Sequence, residues 1–230
     1  MLILGFQKMT LLDFPGKVAC TIFTGGCNLR CPFCHNALLV TEIDKSTAMD
    51  EGEILKFLQG RVGVLDGVCL TGGEPLLQPD VKEFIAKIKA MGFSVKLDTN
   101  GFYPDKLIDL VESRLVDYVA VDVKNSPEKY AETVGLDSID LSEWNRTVAF
   151  LLQGKVDYEF RTTVVAEFHT VDSIEAAARK IRGAKRYFLQ NFVDSGKLIG
   201  GDMHAVKREI LEEMRLAAQK YVEKTEVRGV

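Results

Sequence analysis

Short runs rich in β-branched and aromatic residues alternate along the chain with longer stretches whose apolar positions recur at helical spacing. The runs Val18–Thr24, Gly67–Thr71, Ser94–Thr99, Tyr118–Val123, Tyr158–Val164 and Arg186–Asn191 read as strands. Between them, Val81–Met91 carries Phe84, Ile85, Ile88 and Met91 on one face, the signature of an amphipathic helix. Pro104–Ser113, Ser142–Gln153 and Val171–Arg182 read the same way, and a last helix at about Met203–Val222 closes the chain.

Six βα units predict an α/β fold with a parallel sheet and its helices outside. The strand count and the polar residues at strand ends favour a partial, TIM-like (β/α)6 barrel over a flat doubly wound sheet. In either architecture the chemistry belongs at the carboxyl ends of the strands. Glycine and proline never cluster into a linker, and there is no repeat. Residues 1–230 therefore read as one domain, with a core over about 15–195 and a terminal helix over about 203–222.

Composition narrows the function. Apolar residues make up 47% of the 230 and charged residues 27%, which excludes a disordered or fibrous chain. Lys plus Arg total 29 against 33 for Asp plus Glu, and the net charge of −4 argues against a nucleic-acid partner. No apolar run approaches the roughly 18 residues that span a bilayer. The opening Met1–Phe6 is too short for a signal-peptide core. The expectation is a cytoplasmic protein without a membrane partner, whose five cysteines are metal ligands or buried thiols rather than disulfides.

The first strand runs directly into Gly25-Gly26-Cys27-Asn28-Leu29-Arg30-Cys31-Pro32-Phe33-Cys34-His35-Asn36. Cys31 and Cys34 are spaced to share one side of a turn, and Cys27 can reach back, so three thiolates can converge on one soft metal centre. A structural zinc site takes four ligands, usually two separated CxxC pairs, and the fourth is missing here. His35 would have to fold back sharply to serve, while Cys20 and Cys69 sit in apolar strands and read as buried side chains. Three incidental thiols, a zinc knuckle and a three-cysteine iron–sulfur cluster are the readings left.

This CxxxCxxC loop, with an aromatic residue before its last cysteine, resembles that of the radical S-adenosylmethionine (radical SAM) superfamily. The resemblance implies the partial (β/α)6 barrel of that superfamily and a [4Fe–4S] cluster on Cys27, Cys31 and Cys34. It also implies a radical SAM oxidoreductase, with SAM on the open iron and Phe33 beside it. One electron then cleaves the sulfonium to a 5′-deoxyadenosyl radical that abstracts hydrogen.

The second strand ends Thr71-Gly72-Gly73-Glu74-Pro75, where two glycines allow close backbone approach and a carboxylate can accept from an ammonium group. It is similar to the family's GGE motif, which implies SAM contacts at Gly72, Gly73 and Glu74. The third strand ends Leu97-Asp98-Thr99-Asn100-Gly101 and the fourth Val121-Asp122-Val123-Lys124, each also readable as a turn or a local ion pair. Together they resemble the activating enzymes of glycyl radical enzymes. That resemblance implies SAM contacts at Asp98, Thr99, Asp122, Lys124 and Arg161, and a monovalent cation held by Asp98 and Thr99. Some relatives carry a histidine on strand six where this chain reads Leu189-Gln190-Asn191-Phe192, and Asn191 is taken as its substitute.

Met9–Asn36, with Asp13-Phe14-Pro15-Gly16-Lys17 and Cys34-His35-Asn36, is most similar to activating proteins of anaerobic ribonucleoside-triphosphate reductase, and CHN is shared with pyruvate formate-lyase activating enzyme. The resemblance implies a glycyl radical enzyme as partner, a flavodoxin- or ferredoxin-type electron donor, and Asp13 as a contact to the substrate loop. A turn-forming role for Asp13 is the alternative. Five cysteines are too few for a second four-cysteine cluster. His169 and His204, with no ligand spacing around them, read as surface or capping residues. Activation of a different glycyl radical enzyme, chemistry on a small molecule, and a non-catalytic metal module are the competing functions.

Overall fold

A computed structural model describes residues 1–194 and 196–229. Eight strands form one sheet in chain order: β1 (Ile3–Thr10), β2 (Ala19–Thr24), β3 (Gly67–Gly72), β4 (Ser94–Thr99), β5 (Tyr118–Asp122), β6 (Asp157–Val164), β7 (Tyr187–Asn191) and β8 (Thr225–Arg228). β1 is antiparallel to β2, and every later neighbour is parallel. Strands β2–β7 are the six expected from the sequence, and β1 and β8 extend the sheet at its two edges. The opening Ile3–Thr10 and the four-residue Thr225–Arg228 carry too little periodicity to announce themselves.

Eight α-helices accompany the strands among the described residues: α1 (Leu38–Thr41), α2 (Glu51–Gln59), α3 (Val81–Ala90), α4 (Pro104–Glu112), α5 (Tyr130–Thr133), α6 (Ser142–Leu151), α7 (Val171–Lys180) and α8 (Arg208–Gln219). Local chemistry sets their starts. Asp50 accepts from the Glu53 N–H at α2, Pro104 opens α4, and Thr170 and Ser173 form a reciprocal cap on α7. The last helix begins at Arg208 rather than near Met203, because the Val206 backbone is bonded to Asn191 instead.

Alternate strand residues face opposite ways. Cys20, Ile22, Val68, Leu70, Val95, Leu97, Val119 and Val121 join the main core, with Phe84, Ile85 and Ile88 of α3 and Leu107 and Leu110 of α4. The other face is polar. Cys69 pairs in register with Lys96, and Asp122 with Arg161. Contacts across this concave face show that the sheet curls: the Phe14 ring lies 6.1 Å from that of Tyr118, and His35, after β2, reaches Val193, after β7. Phe14, Ala19 and Tyr118 close the end where the parallel strands begin. Nearby, buried Glu159 takes two hydrogen bonds from Arg228, each 3.1 Å, and one from Tyr118 at 2.9 Å. The opposite end, where the strands finish, stays open.

Candidate active site

The loop after β2 is pinned by four backbone hydrogen bonds. Gly26 accepts from the Glu74 N–H at 2.8 Å and donates to Leu39 at 2.7 Å, while Arg30 N–H donates to Val134 at 2.9 Å. Pro32 accepts from Gly200 at 2.8 Å. Beneath the loop Leu29, Cys31 and Phe33 pack on Tyr130, Val134, Val165 and Phe192. Gly72 and Gly73 make this closeness possible. A Cβ on Gly73 would stand 1.9 Å from the Gly26 carbonyl oxygen, and one on Gly72, where φ is +122°, 2.2 Å from the Thr24 nitrogen. These glycines serve backbone-to-backbone packing as well as lining the cleft.

Cys27, Cys31 and Cys34 line one cleft of about 920 Å³, its open mouth included, together with Phe33, Gly72, Gly73, Asp98, Thr99, Asp122, Lys124 and Arg161. The strand ends thus bring eleven of the residues singled out by sequence to one place. Cys27 Sγ accepts the Leu29 N–H at 3.4 Å and lies 3.7 Å from Asn100 Nδ2. Burial pushes the Cys31 thiol up to about 11, although Lys124 pulls against it. A coordinated cation reverses that preference. Phe33 is buried against Phe168 and His169, its ring centroid 5.7 Å and 6.4 Å from theirs.

Across the cleft floor runs an alternating chain of charges. Lys96 pairs with Asp98 Oδ1, and Arg161 donates to Asp98 Oδ2 at 2.9 Å and to Asp122 Oδ1 at 2.8 Å. Lys124 then donates to Asp122 Oδ2 at 2.8 Å. Three cations therefore hold two carboxylates. Burial works against ionisation of Asp98 and Asp122, but Arg161 with Lys96 on the first, and Lys124 with Arg161 on the second, hold both carboxyls below their usual range. The Lys124 ammonium is held charged in turn by Asp122 against its burial. With one hydrogen bond used, Lys124 keeps donors for an anionic ligand group.

Three residues expected at the site do not line the cleft. Glu74 is fully buried beside the cleft rather than lining it. Its oxygens accept from Leu76 N–H at 3.0 Å, Thr99 Oγ1 at 2.8 Å and Asn100 N–H at 2.7 Å. Burial raises its carboxyl to about 7 despite those donors. Asn191 faces away from the cleft, exchanging bonds with the Val206 carbonyl at 3.0 Å and N–H at 3.1 Å, because strand alternation turns the neighbouring Gln190 inward. Asp13 accepts from Thr21 Oγ1 at 2.5 Å and is not among the cleft residues.

His169 departs from its surface reading too. It is buried, Nδ1 accepting the Val165 N–H at 3.0 Å and Nε2–H donating to the Lys124 carbonyl at 2.8 Å, so it ties the ends of β5 and β6 together. Burial lowers its pKa and keeps it neutral. His204 is exposed and pairs with Glu167 at 2.7 Å. His35 lines the cleft, stacking on Phe192 and bonding the Val193 carbonyl. Sequence reading missed Lys96, Asn100, Thr163 and Gln190. A lysine two residues before Asp98 on the same strand face was the available signal for the first.

Among the described residues, no three acidic, histidine or cysteine side chains are gathered tightly enough for one metal ion. The three thiols instead surround a cleft, which suits a cluster spanning the gap between them better than a zinc knuckle. Tyr130 adds a second sign. Its buried hydroxyl lies near Lys124 and Cys31 and has no hydrogen-bond partner among the described residues. The donor set fits an iron–sulfur cluster, and the mixed charges beyond it fit a zwitterion such as SAM.

The profile of the radical SAM superfamily matches residues 21–181. A Methanocaldococcus jannaschii protein, named provisionally a glycyl-radical enzyme activating enzyme, is 31% identical over 236 residues, covering 100% of this chain and 96% of its own length. The pyruvate formate-lyase-activating enzyme of Listeria monocytogenes serovar 1/2a is 33% identical over 136 residues, 54% of each chain. The fold is similar to that of Streptococcus suis SuiB bound to S-adenosylmethionine, with a TM-score of 0.70 and 13% identity over 89% of this chain and 48% of that one.

Proposed function

The chain belongs to the radical SAM superfamily, and from that membership we propose that it activates a glycyl radical enzyme, with anaerobic ribonucleoside-triphosphate reductase as the partner. The observation that carries the proposal is the convergence of Cys27, Cys31 and Cys34 with the charged ends of β4, β5 and β6 in one open cleft. The full-length likeness to a protein named for glycyl-radical enzyme activation supports the activase role. The similarity of Met9–Asn36 to activating proteins of the anaerobic reductase supports that partner.

When bound, a [4Fe–4S] cluster and SAM supply an electron and a 5′-deoxyadenosyl radical able to take a hydrogen atom from glycine. Cys27, Cys31 and Cys34 would hold the cluster. Lys124, with donors to spare, would take the SAM carboxylate, and Asp122, itself held by Arg161, keeps Lys124 charged and in place. Gly72 and Gly73 present backbone at the cleft, and Glu74 fixes the Thr99–Asn100 turn beside them. Phe33, Leu29 and Val40 supply its apolar lining, which helps exclude water. The open mouth admits a peptide loop. The same reading places the protein in the cytoplasm, with a flavodoxin- or ferredoxin-type reductant; no helix among the described residues is long and apolar enough to cross a membrane.

Anaerobic reconstitution tests the proposal: about four irons per chain are expected, with reductive SAM cleavage. Incubation with the anaerobic reductase should give a glycine-centred doublet in electron paramagnetic resonance. SAM cleavage without that doublet on any glycyl radical enzyme, but with turnover of a small molecule, would replace the activase reading. Zinc in place of iron would remove the radical chemistry.

A further inference from the structure

The resemblance to activating enzymes leads one to expect an alkali cation on Asp98 and Thr99, and the residues here do not fit one. Both Asp98 oxygens already face a cation, Lys96 at Oδ1 and Arg161 at Oδ2 at 2.9 Å, so a metal ion arriving there would meet two positive charges on one carboxylate. The Thr99 hydroxyl is engaged on both sides, donating to Glu74 at 2.8 Å and accepting the Gly101 N–H at 3.1 Å. A hard cation needs several free oxygen ligands. To reach Asp98 it would have to displace Lys96 or Arg161, stranding a buried positive charge, and stranding such a charge is strongly unfavourable.

Lys96 is itself the anomaly. It lies in the middle of β4 between buried Val95 and Leu97, and only 2% of its surface is exposed. Strand alternation points it to the same face as Asp98, two residues on. Apart from Asp98, its ammonium has only Cys69 Sγ, at 3.9 Å, among the described residues. An ammonium carries the same single charge as potassium, and this one is tethered where the cation was expected.

We propose that the Lys96 ammonium is a built-in substitute for the monovalent metal ion, so that this enzyme holds Asp98 and its SAM site in order without any alkali cation. The inference rests on reading Asp98 as part of the SAM site. It accounts for a buried lysine that the rest of the mechanism does not use.

The test compares the full chain in potassium chloride and in tetramethylammonium chloride, a cation too large to bind between Asp98 and Thr99. Both SAM cleavage by the reconstituted enzyme and thermal melting of the metal-free chain are followed. The wild-type protein should be indifferent to the exchange by both measures. For Lys96→Met, cleavage in tetramethylammonium should fall about tenfold or more, and potassium should restore part of it while raising the melting temperature. Lys96→Arg, which keeps a tethered cation, should remain indifferent to potassium.

Wild-type cleavage that is lost in tetramethylammonium and restored by potassium would overturn the proposal. So would a Lys96→Met protein with full activity and no potassium response. Should Lys96→Met fail to fold, the wild-type salt exchange and Lys96→Arg still decide. Absence of SAM cleavage in every salt would count against the radical reading itself, and the melting response of Lys96→Met to potassium would then decide the cation question alone.

Discussion

Glu74 Oε2 accepts the backbone N–H of Asn100 at 2.7 Å, across a separation of 26 residues. This bond, with those from Thr99 and Leu76, makes one buried carboxyl the joint between the ends of β3 and β4. Replacing it strands three donors. Glu74→Ala should cost on the order of 3 kcal/mol in urea unfolding and lower cluster retention, because the backbone it anchors at residue 74 holds Gly26 at the head of the cysteine loop.

Glu74 also gives stability a pH dependence. Burial raises its folded-state pKa from 4.5 to about 7. The folded protein thus binds more protons than the unfolded chain in that interval, and the stabilisation is complete below 4.5 and lost as pH rises through 7. Unfolding free energies of the metal-free protein should fall over this range in the wild type, and Glu74→Gln should flatten the slope. An unchanged slope in the variant would refute the assignment.

Arg161 separates two carboxylates that would otherwise repel. Arg161→Met should destabilise the fold by about 2–3 kcal/mol, because two charge-assisted hydrogen bonds are lost while Lys96 and Lys124 still face the carboxylates. The depressed pKa values of Asp98 and Asp122 contribute stability present above the usual carboxylate range and lost as pH falls through their folded values. Removing Arg161 raises those values, so the acid-unfolding midpoint should move to higher pH than in the wild type.

Gly73→Ala puts a methyl group inside the Gly26 carbonyl, 1.9 Å away, and neither partner is a side chain able to turn aside. Loss of soluble protein, or of iron binding, is the expected outcome. Gly201→Ala, with no described residue within 4 Å of the added carbon, is the control and should change stability by less than about 0.5 kcal/mol.

The cysteines divide into two groups. Alanine at Cys27, Cys31 or Cys34 should each abolish the iron signal and SAM cleavage. Cys20, whose thiol burial pushes up to about 12, packs in the core, and Cys20→Ala should keep its iron at a cost of about 1 kcal/mol. Cys69→Ala should keep its iron as well. Iron lost on replacing Cys69 would mean that the ligand set is wrong.

What could be read in advance was whatever depends on neighbours along the chain. The six central strands were legible because β-branched runs sit between helical stretches, and the cysteine loop because its three thiols lie within eight residues. The glycine pair, Asp98, Asp122 and Lys124 were legible because strand ends are where such folds gather polar groups. β1 and β8 were not, since edge strands owe their existence to the neighbour they pair with.

Sequence alone therefore determined the α/β order, the three thiols and the rim on which the polar residues stand. Only the curled sheet decided how those residues share their charges. It turned Gln190 in and Asn191 out by a one-residue alternation, withdrew Glu74 into a joint between strands, buried His169, and set Lys96 against Asp98. Each outcome depends on which groups meet across 26 or more residues, or on which face of a strand looks inward, and a buried polar atom takes the partner that packing brings within reach.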